Sequence, residues 1–103
     1  MRYTVCIIWT VYFTTKAEKQ VAIFNDALKS TLYLLVEDLK NLGPAQPGWP
    51  NYSKLKGTKK NIDLRHCHLI KGRPTYVCCC EVIDKQLQIV EVYYVGTDEK
   101  APY

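Results

Sequence analysis

An α+β fold is predicted for this chain of 103 residues: an N-terminal strand, a two-helix hairpin, then a three-stranded antiparallel meander completing one sheet. Three observations predict it. Apolar residues recur at helical spacing from Ala17 to Leu42. Segments rich in β-branched and aromatic residues flank that region on both sides. Between the helical and the later extended region lies Pro44-Ala45-Gln46-Pro47-Gly48-Trp49-Pro50, whose prolines and glycine interrupt any ladder. The length suits a single domain over residues 1–103 and not two.

Tyr3 to Trp9 reads as the first strand, bounded by Thr10. Its apolar run is too short for a signal peptide, and no small-residue cleavage site follows. The period then changes. Thr15-Lys16-Ala17-Glu18 has the form of a capping box, with Thr15 as cap. Ala17, Val21, Phe24 and Leu28 form one apolar stripe; Leu32, Leu35, Val36, Leu39 and Leu42 continue it. Gly43-Pro44 stops the helix. So long a stretch is read as two helices, broken at Asn25-Asp26 or at Ser30-Thr31, with the stripe packed on the sheet. After the rigid connector, which Trp49 is expected to pin to the core, come strands at about Asp63–Ile70, Thr75–Ile83 and Leu87–Val95. Lys71-Gly72-Arg73-Pro74 joins the first pair and a tight turn at Asp84-Lys85 the second. The order is therefore β-α-α-β-β-β.

Composition excludes several classes. At 48% hydrophobic and 23% charged residues the chain is not disordered, and no apolar run approaches a membrane span. Of five cysteines, Cys78, Cys79 and Cys80 are consecutive, so neighbours point to opposite faces of a strand and cannot bridge. They read, with Cys6 and Cys67, as reduced core thiols of a cytoplasmic protein. The net charge is only +4, but Lys54, Lys56, Lys59, Lys60, Arg65, Lys71 and Arg73 face a single Asp63 within one window, which carries +6 and leaves −2 elsewhere. Concentrated positive charge is the electrostatic footprint of polyanion binding.

His66 and His68, two apart on a strand, share a face, with Arg65 and Cys67 on the other. A same-face imidazole pair beside cations suits general acid–base chemistry near neutral pH. A competing arrangement joins His66, Cys67 and His68 to Cys78 or Cys80 around zinc, but no Cys-x2-Cys knuckle is present; no metal or cofactor is expected. The C-terminal Tyr103 either stacks on a base or tucks onto the domain. A two-residue turn at Gly72-Arg73 places both histidines on the face of Val77 and Cys79, with Val90, Val92 and Tyr94, a set that looks like core. A functional role for the histidines is therefore expected to need a register flipped by one residue.

Leu55-Lys56-Gly57, Arg65-His66-Cys67-His68-Leu69, Glu81-Val82-Ile83-Asp84 and the run from Val95 to Tyr103 resemble the RelE/ParE superfamily of toxin–antitoxin toxins. Cys67-His68 and Gly96-Thr97 are most similar to its YafQ-type branch. The resemblance implies an endoribonuclease, or mRNA interferase, that cuts messenger RNA in the ribosomal A site, represses translation and is neutralised by a cognate acidic antitoxin. It implies His68 as the leading acid–base residue, with His66, Asp98 and Arg73 completing the catalytic group. Lys54, Lys56, Lys59, Lys60, Arg65, Lys71 and Tyr103 would contact RNA. Asp98 stands where YafQ-type members carry a histidine, and Val77 where the RelE branch has an arginine, so catalysis is expected to be weaker or differently arranged. The alternatives are a ParE-like gyrase inhibitor and a weakened toxin-fold binding module, both without RNA cleavage.

Overall fold

The structure is a computed structural model that describes residues 8–46, 48–55, 59 and 61–103. Strand β1 (Thr10–Phe13) leads into helices α1 (Thr15–Ala22) and α2 (Asp26–Leu42), followed by β2 (Ser53–Lys54), β3 (Leu64–Ile70), β4 (Tyr76–Asp84) and β5 (Ile89–Thr97). The strands form one sheet in the order β1-β5-β4-β3-β2. β3, β4 and β5 are the expected meander; β1 joins it parallel to β5. Both helices cover one face, α1 over β5 and β1, α2 over β3 and β1.

Most of the strand expected at Tyr3–Trp9 lies outside the described residues. Where the description begins, Ile8 and Trp9 are not paired in the sheet; their amides donate to the Lys40 carbonyl at the end of α2. The strand begins at Thr10, the residue at which the sequence pattern ends it. The helix cap is also one residue earlier than expected: the Thr14 hydroxyl accepts from the Ala17 amide at 3.1 Å. Asn25 caps α2 in the same way, its side chain accepting from Leu28 at 2.9 Å, and so fixes the helix break. Ala17, Val21, Leu28, Leu32, Leu35, Val36 and Leu39 are buried. Leu42 is not, because Gly43 turns the chain away at the last residue of the helix. Gly43 adopts a φ of 84°, and a Cβ there would sit 2.7 Å from the Trp9 ring nitrogen, so the turn demands glycine twice over.

The connector is pinned as expected. Trp49 packs on the core and donates its ring N–H to Asp38 Oδ2 at 2.8 Å, while Gln46 satisfies the carbonyls of Asp38 and Gly43. The turn between β4 and β5 is longer than the tight turn anticipated, spanning residues 85–88, with Asp84 accepting from the Leu87 amide at 2.8 Å. β5 correspondingly runs on to Thr97.

A bulge in β5 decides which side chains face the helices. Cys79 lies opposite Tyr94 but Cys80 opposite Val92, so Tyr93 is an extra residue in β5. Val90 and Val92 therefore face the helices with Cys67, Leu69, Cys78, Cys80 and Val95, while Tyr94 joins Val77 and Cys79 in a separate cluster on the opposite face. Cys67, Cys78, Cys79 and Cys80 are all free and buried; Cys6 lies outside the described residues.

Candidate functional site

The face of the sheet away from the helices carries both histidines. His68 stands opposite Val77 and His66 opposite Cys79. This is the register that the sequence pattern reads as burying them. It does not, because the Tyr93 bulge sends Val90 and Val92 to the helix side and leaves only Val77, Cys79 and Tyr94 as a small apolar floor. No flipped register is needed. Tyr94 folds over Gly96 to donate to the Thr97 carbonyl at 2.7 Å. Only a glycine leaves room for this, since a Cβ at residue 96 would meet the Tyr94 hydroxyl at 2.6 Å.

Two elements close around the histidines. The first is the approach to β2: the Asn51 side-chain nitrogen lies 2.9 Å from His68 Nδ1, and Ser53 Oγ lies 3.3 Å from His66 Nδ1. Asn51 adopts a φ of 51°, a left-handed conformation that asparagine tolerates better than most residues. The second is the C-terminal segment, where Asp98–Lys100 form a short 3-10 turn and Ala101 packs on the apolar floor. Tyr103 returns over the sheet, its ring edge-on to His66 at 5.1 Å and its hydroxyl donating to Asp98 Oδ1 at 2.5 Å. Tyr103 thus tucks onto the domain yet stays 60% exposed. The two imidazoles are 6.1 Å apart, centre to centre.

Electrostatics separate the groups. Burial, reinforced by the neighbouring His68, pushes the His66 pKa below its ordinary value. Burial first, then the bond to Asp98, holds the Tyr103 phenol well above its ordinary range. Burial also pushes the Cys79 thiol up to about 12, so it is a neutral floor group rather than a nucleophile.

The basic residues divide between faces. Lys71 and Arg73 are exposed on the β3–β4 loop, and that loop is tied to the tail because the Thr75 carbonyl accepts from the Asp98 amide at 2.8 Å. Arg65 points the other way. Its guanidinium makes two bonds to Asp63, at 3.0 and 3.1 Å, and a third to the Pro44 carbonyl, which also accepts from the Tyr52 hydroxyl. Lys54, opposite Arg65 in the β2–β3 ladder, shares that side. Lys59 is exposed in the loop before β3, and Lys56 and Lys60 lie outside the described residues. The zinc arrangement is split by the sheet: Cys67, Cys78 and Cys80 face the helices and the histidines face away.

Sequence reasoning brings together His66, His68, Asp98 and Tyr103 and places Val77, Cys79 and Tyr94 on the histidine face, but it does not find Asn51 or Ser53. A two-residue strand has no periodicity to read. Only the Pro50-Asn51 pair, a turn signal, marks the place.

Comparison with protein families finds no match for the chain, and comparison with curated proteins finds none. Solved structures do match. Over 90% of this chain, and 98% of the other, it superposes on a protein of the archaeal RelE–RelB complex from Pyrococcus horikoshii OT3, with a TM-score of 0.71 and 15% identity. A chain of the E. coli DinJ–YafQ toxin–antitoxin complex matches with a TM-score of 0.66 and 18% identity, covering 92% of this chain and 98% of that one. At such identities the likeness is one of fold: the chain has the α+β fold of the RelE and YafQ type.

Proposed function

We propose that a chain with this fold is the toxin of a toxin–antitoxin pair and acts as a metal-independent endoribonuclease on messenger RNA in the ribosomal A site, repressing translation in the cytoplasm. The observation that carries the reading is the pair His66 and His68, side by side on a face the helices leave open, with Tyr103 beside them. The solved complexes that share the fold pair their toxins with RelB or DinJ, which supports a protein antitoxin as partner.

Cleavage of RNA without metal needs a base for the 2′-hydroxyl, cations for the crowded phosphate, and a proton for the departing oxygen. One imidazole removes the 2′ proton; the 2′ oxygen attacks phosphorus, the bond to the 5′ oxygen breaks, and the other imidazole protonates that oxygen, leaving a 2′,3′-cyclic phosphate. Lys71 and Arg73, on the loop joined to the Asp98 segment, would contact the flanking phosphates together with Lys59 from the loop before β3. Tyr103 offers an exposed ring on which a base can stack, and Asp98 holds that ring in place. Arg65 is given a structural role, because its donors are spent on Asp63 and Pro44. An acidic antitoxin suits the basic window by charge.

The test is expression of the wild type and of His68→Ala, with growth and messenger integrity followed in cells and in a translating lysate. The wild type should arrest growth and cut messenger, and the variant should lose about 100-fold or more of its cleavage rate. A wild type that does neither defeats the proposal.

A further inference from the structure

A cavity of about 480 Å³ opens between the α1–α2 turn and the last residues of β5. Phe24 and Tyr76 line it, their rings edge-on at 5.8 Å, and Gln20, Asn25, Thr97 and Lys100 supply polar groups. Two of these side chains are held in a fixed sense. Gln20 Oε1 accepts from the Val95 amide at 2.9 Å, and Asn25 Oδ1 accepts from the Leu28 amide at 2.9 Å. Each therefore keeps its own N–H groups for another partner, and the Lys100 ammonium adds further donors. The Thr97 hydroxyl is not spent on capping the short turn that follows it.

Two rings and a surplus of donors suit a base that shows acceptors along one edge, as guanine does with O6 and N7. They disfavour adenine, whose N6 amine would face donors. The surroundings supply the source of such a base. Asp98 and Lys100 belong to one 3-10 turn: Asp98 holds Tyr103 over His66, while Lys100 lines the cavity. Tyr76 lines it too, next to Val77 of the histidine floor and shortly after Lys71 and Arg73. We propose that the cavity holds one unpaired guanine of the RNA that is cut at the histidines, reached as the RNA strand rounds the tail past Lys71 and Arg73. The proposal rests on the nuclease reading for the source of the base, and it makes Gln20, Asn25 and Lys100 specificity-determining residues.

Titration of the intact protein with guanosine 5′-monophosphate, followed by nitrogen-15 NMR, should move the backbone amides of residues 23–25 and 95–97. Adenosine 5′-monophosphate, with the same phosphate, should bind at least about tenfold more weakly. Gln20→Glu with Asn25→Asp keeps both backbone bonds, since a carboxylate oxygen accepts as the amide oxygen did, but turns the donors into acceptors. This double variant should lose at least about tenfold in guanosine monophosphate affinity and keep its urea midpoint. On ribosomes programmed with short messengers, an abasic site replacing one guanine beside the cut should raise KM about tenfold for the wild type with kcat unchanged, and should change nothing for the double variant. Equal binding of the two mononucleotides, or shifts confined to the histidine face, overturns the proposal. So does a double variant that loses antitoxin binding while its nucleotide binding stays intact. If the wild type cleaves no RNA, the nuclease reading falls while the two mononucleotides still decide the cavity.

Discussion

Asp63 shows how a single buried carboxylate ties the start of β3, through Arg65, to the start of the connector. It is 7% exposed and accepts from Nε and Nη2 of Arg65, whose Nη1 donates to the Pro44 carbonyl. The Arg65 hydrogen bonds hold its pKa below the ordinary carboxylate value. Because the folded state binds this proton less tightly than the unfolded chain, Asp63 adds stability above its unfolded pKa and loses it as pH falls through the lower folded one. Asp63→Asn should therefore flatten the acid side of the stability curve below about pH 4, measured by urea unfolding at a series of pH values. Gly96 is the opposite case, a residue needed for what it lacks. Gly96→Ala drives a methyl into the Tyr94 hydroxyl and should cost about 1–3 kcal/mol, read from the urea midpoint. Removing that hydroxyl in a Tyr94→Phe background should recover part of the loss.

Among the elements, β5 decides the most, through its one surplus residue. Deleting Tyr93 would close the bulge while leaving Val92 opposite Cys80 and Tyr94 opposite Cys79, so every other side chain of β5 keeps its face. The expected outcome is that the cooperative thermal transition in circular dichroism survives the deletion, as it should survive one glycine added within residues 85–88. The bulge also explains what sequence alone can show. The α2 stripe, the break at Asn25, the stop at Gly43 and the meander are legible, since each rests on local periodicity or a capping residue. The openness of the histidine face is not, because a bulge needs no special residue and Tyr93-Tyr94 reads as plain strand. The last two residues of the strand expected at Tyr3–Trp9 are also not legible: Ile8 and Trp9 look like strand, but their amides donate to the end of α2.

At the scale of the molecule, four described cations of the basic window, Arg65 and Lys54 on one side and Lys71 and Arg73 on the other, have different surroundings. Arg65 and Lys54 stand on the helix side, where they depress the Asp63 pKa; Lys71 and Arg73 project from the far loop. Charge alone locates the window but does not divide it, since the division follows from strand alternation and loop geometry. Under the nuclease reading, binding of a single-stranded RNA should weaken with salt, and Lys71→Ala with Arg73→Ala should reduce the slope of log K against log salt by about 0.7 for each phosphate left without its cation. Arg65→Ala should instead lower the unfolding midpoint, having removed the partner of a buried carboxylate. The two variants, assayed for both properties, separate recognition from architecture.

The parallel pairing of β1 with β5 sets an order of events. Thr10 lies opposite Ile89 and Phe13 opposite Val92, so the earliest strand described must wait for the latest before its ladder can form. During synthesis at roughly 5–20 residues per second, the helices can form while β1 has no neighbour. Closing so long a loop is the slow, entropically costly step. The Asp98 and Tyr103 side chains that complete the histidine face emerge later still. A protein built this way acquires its sheet edge and its tail-borne groups together, at the finish, so a half-made chain carries the histidines without the means to use them.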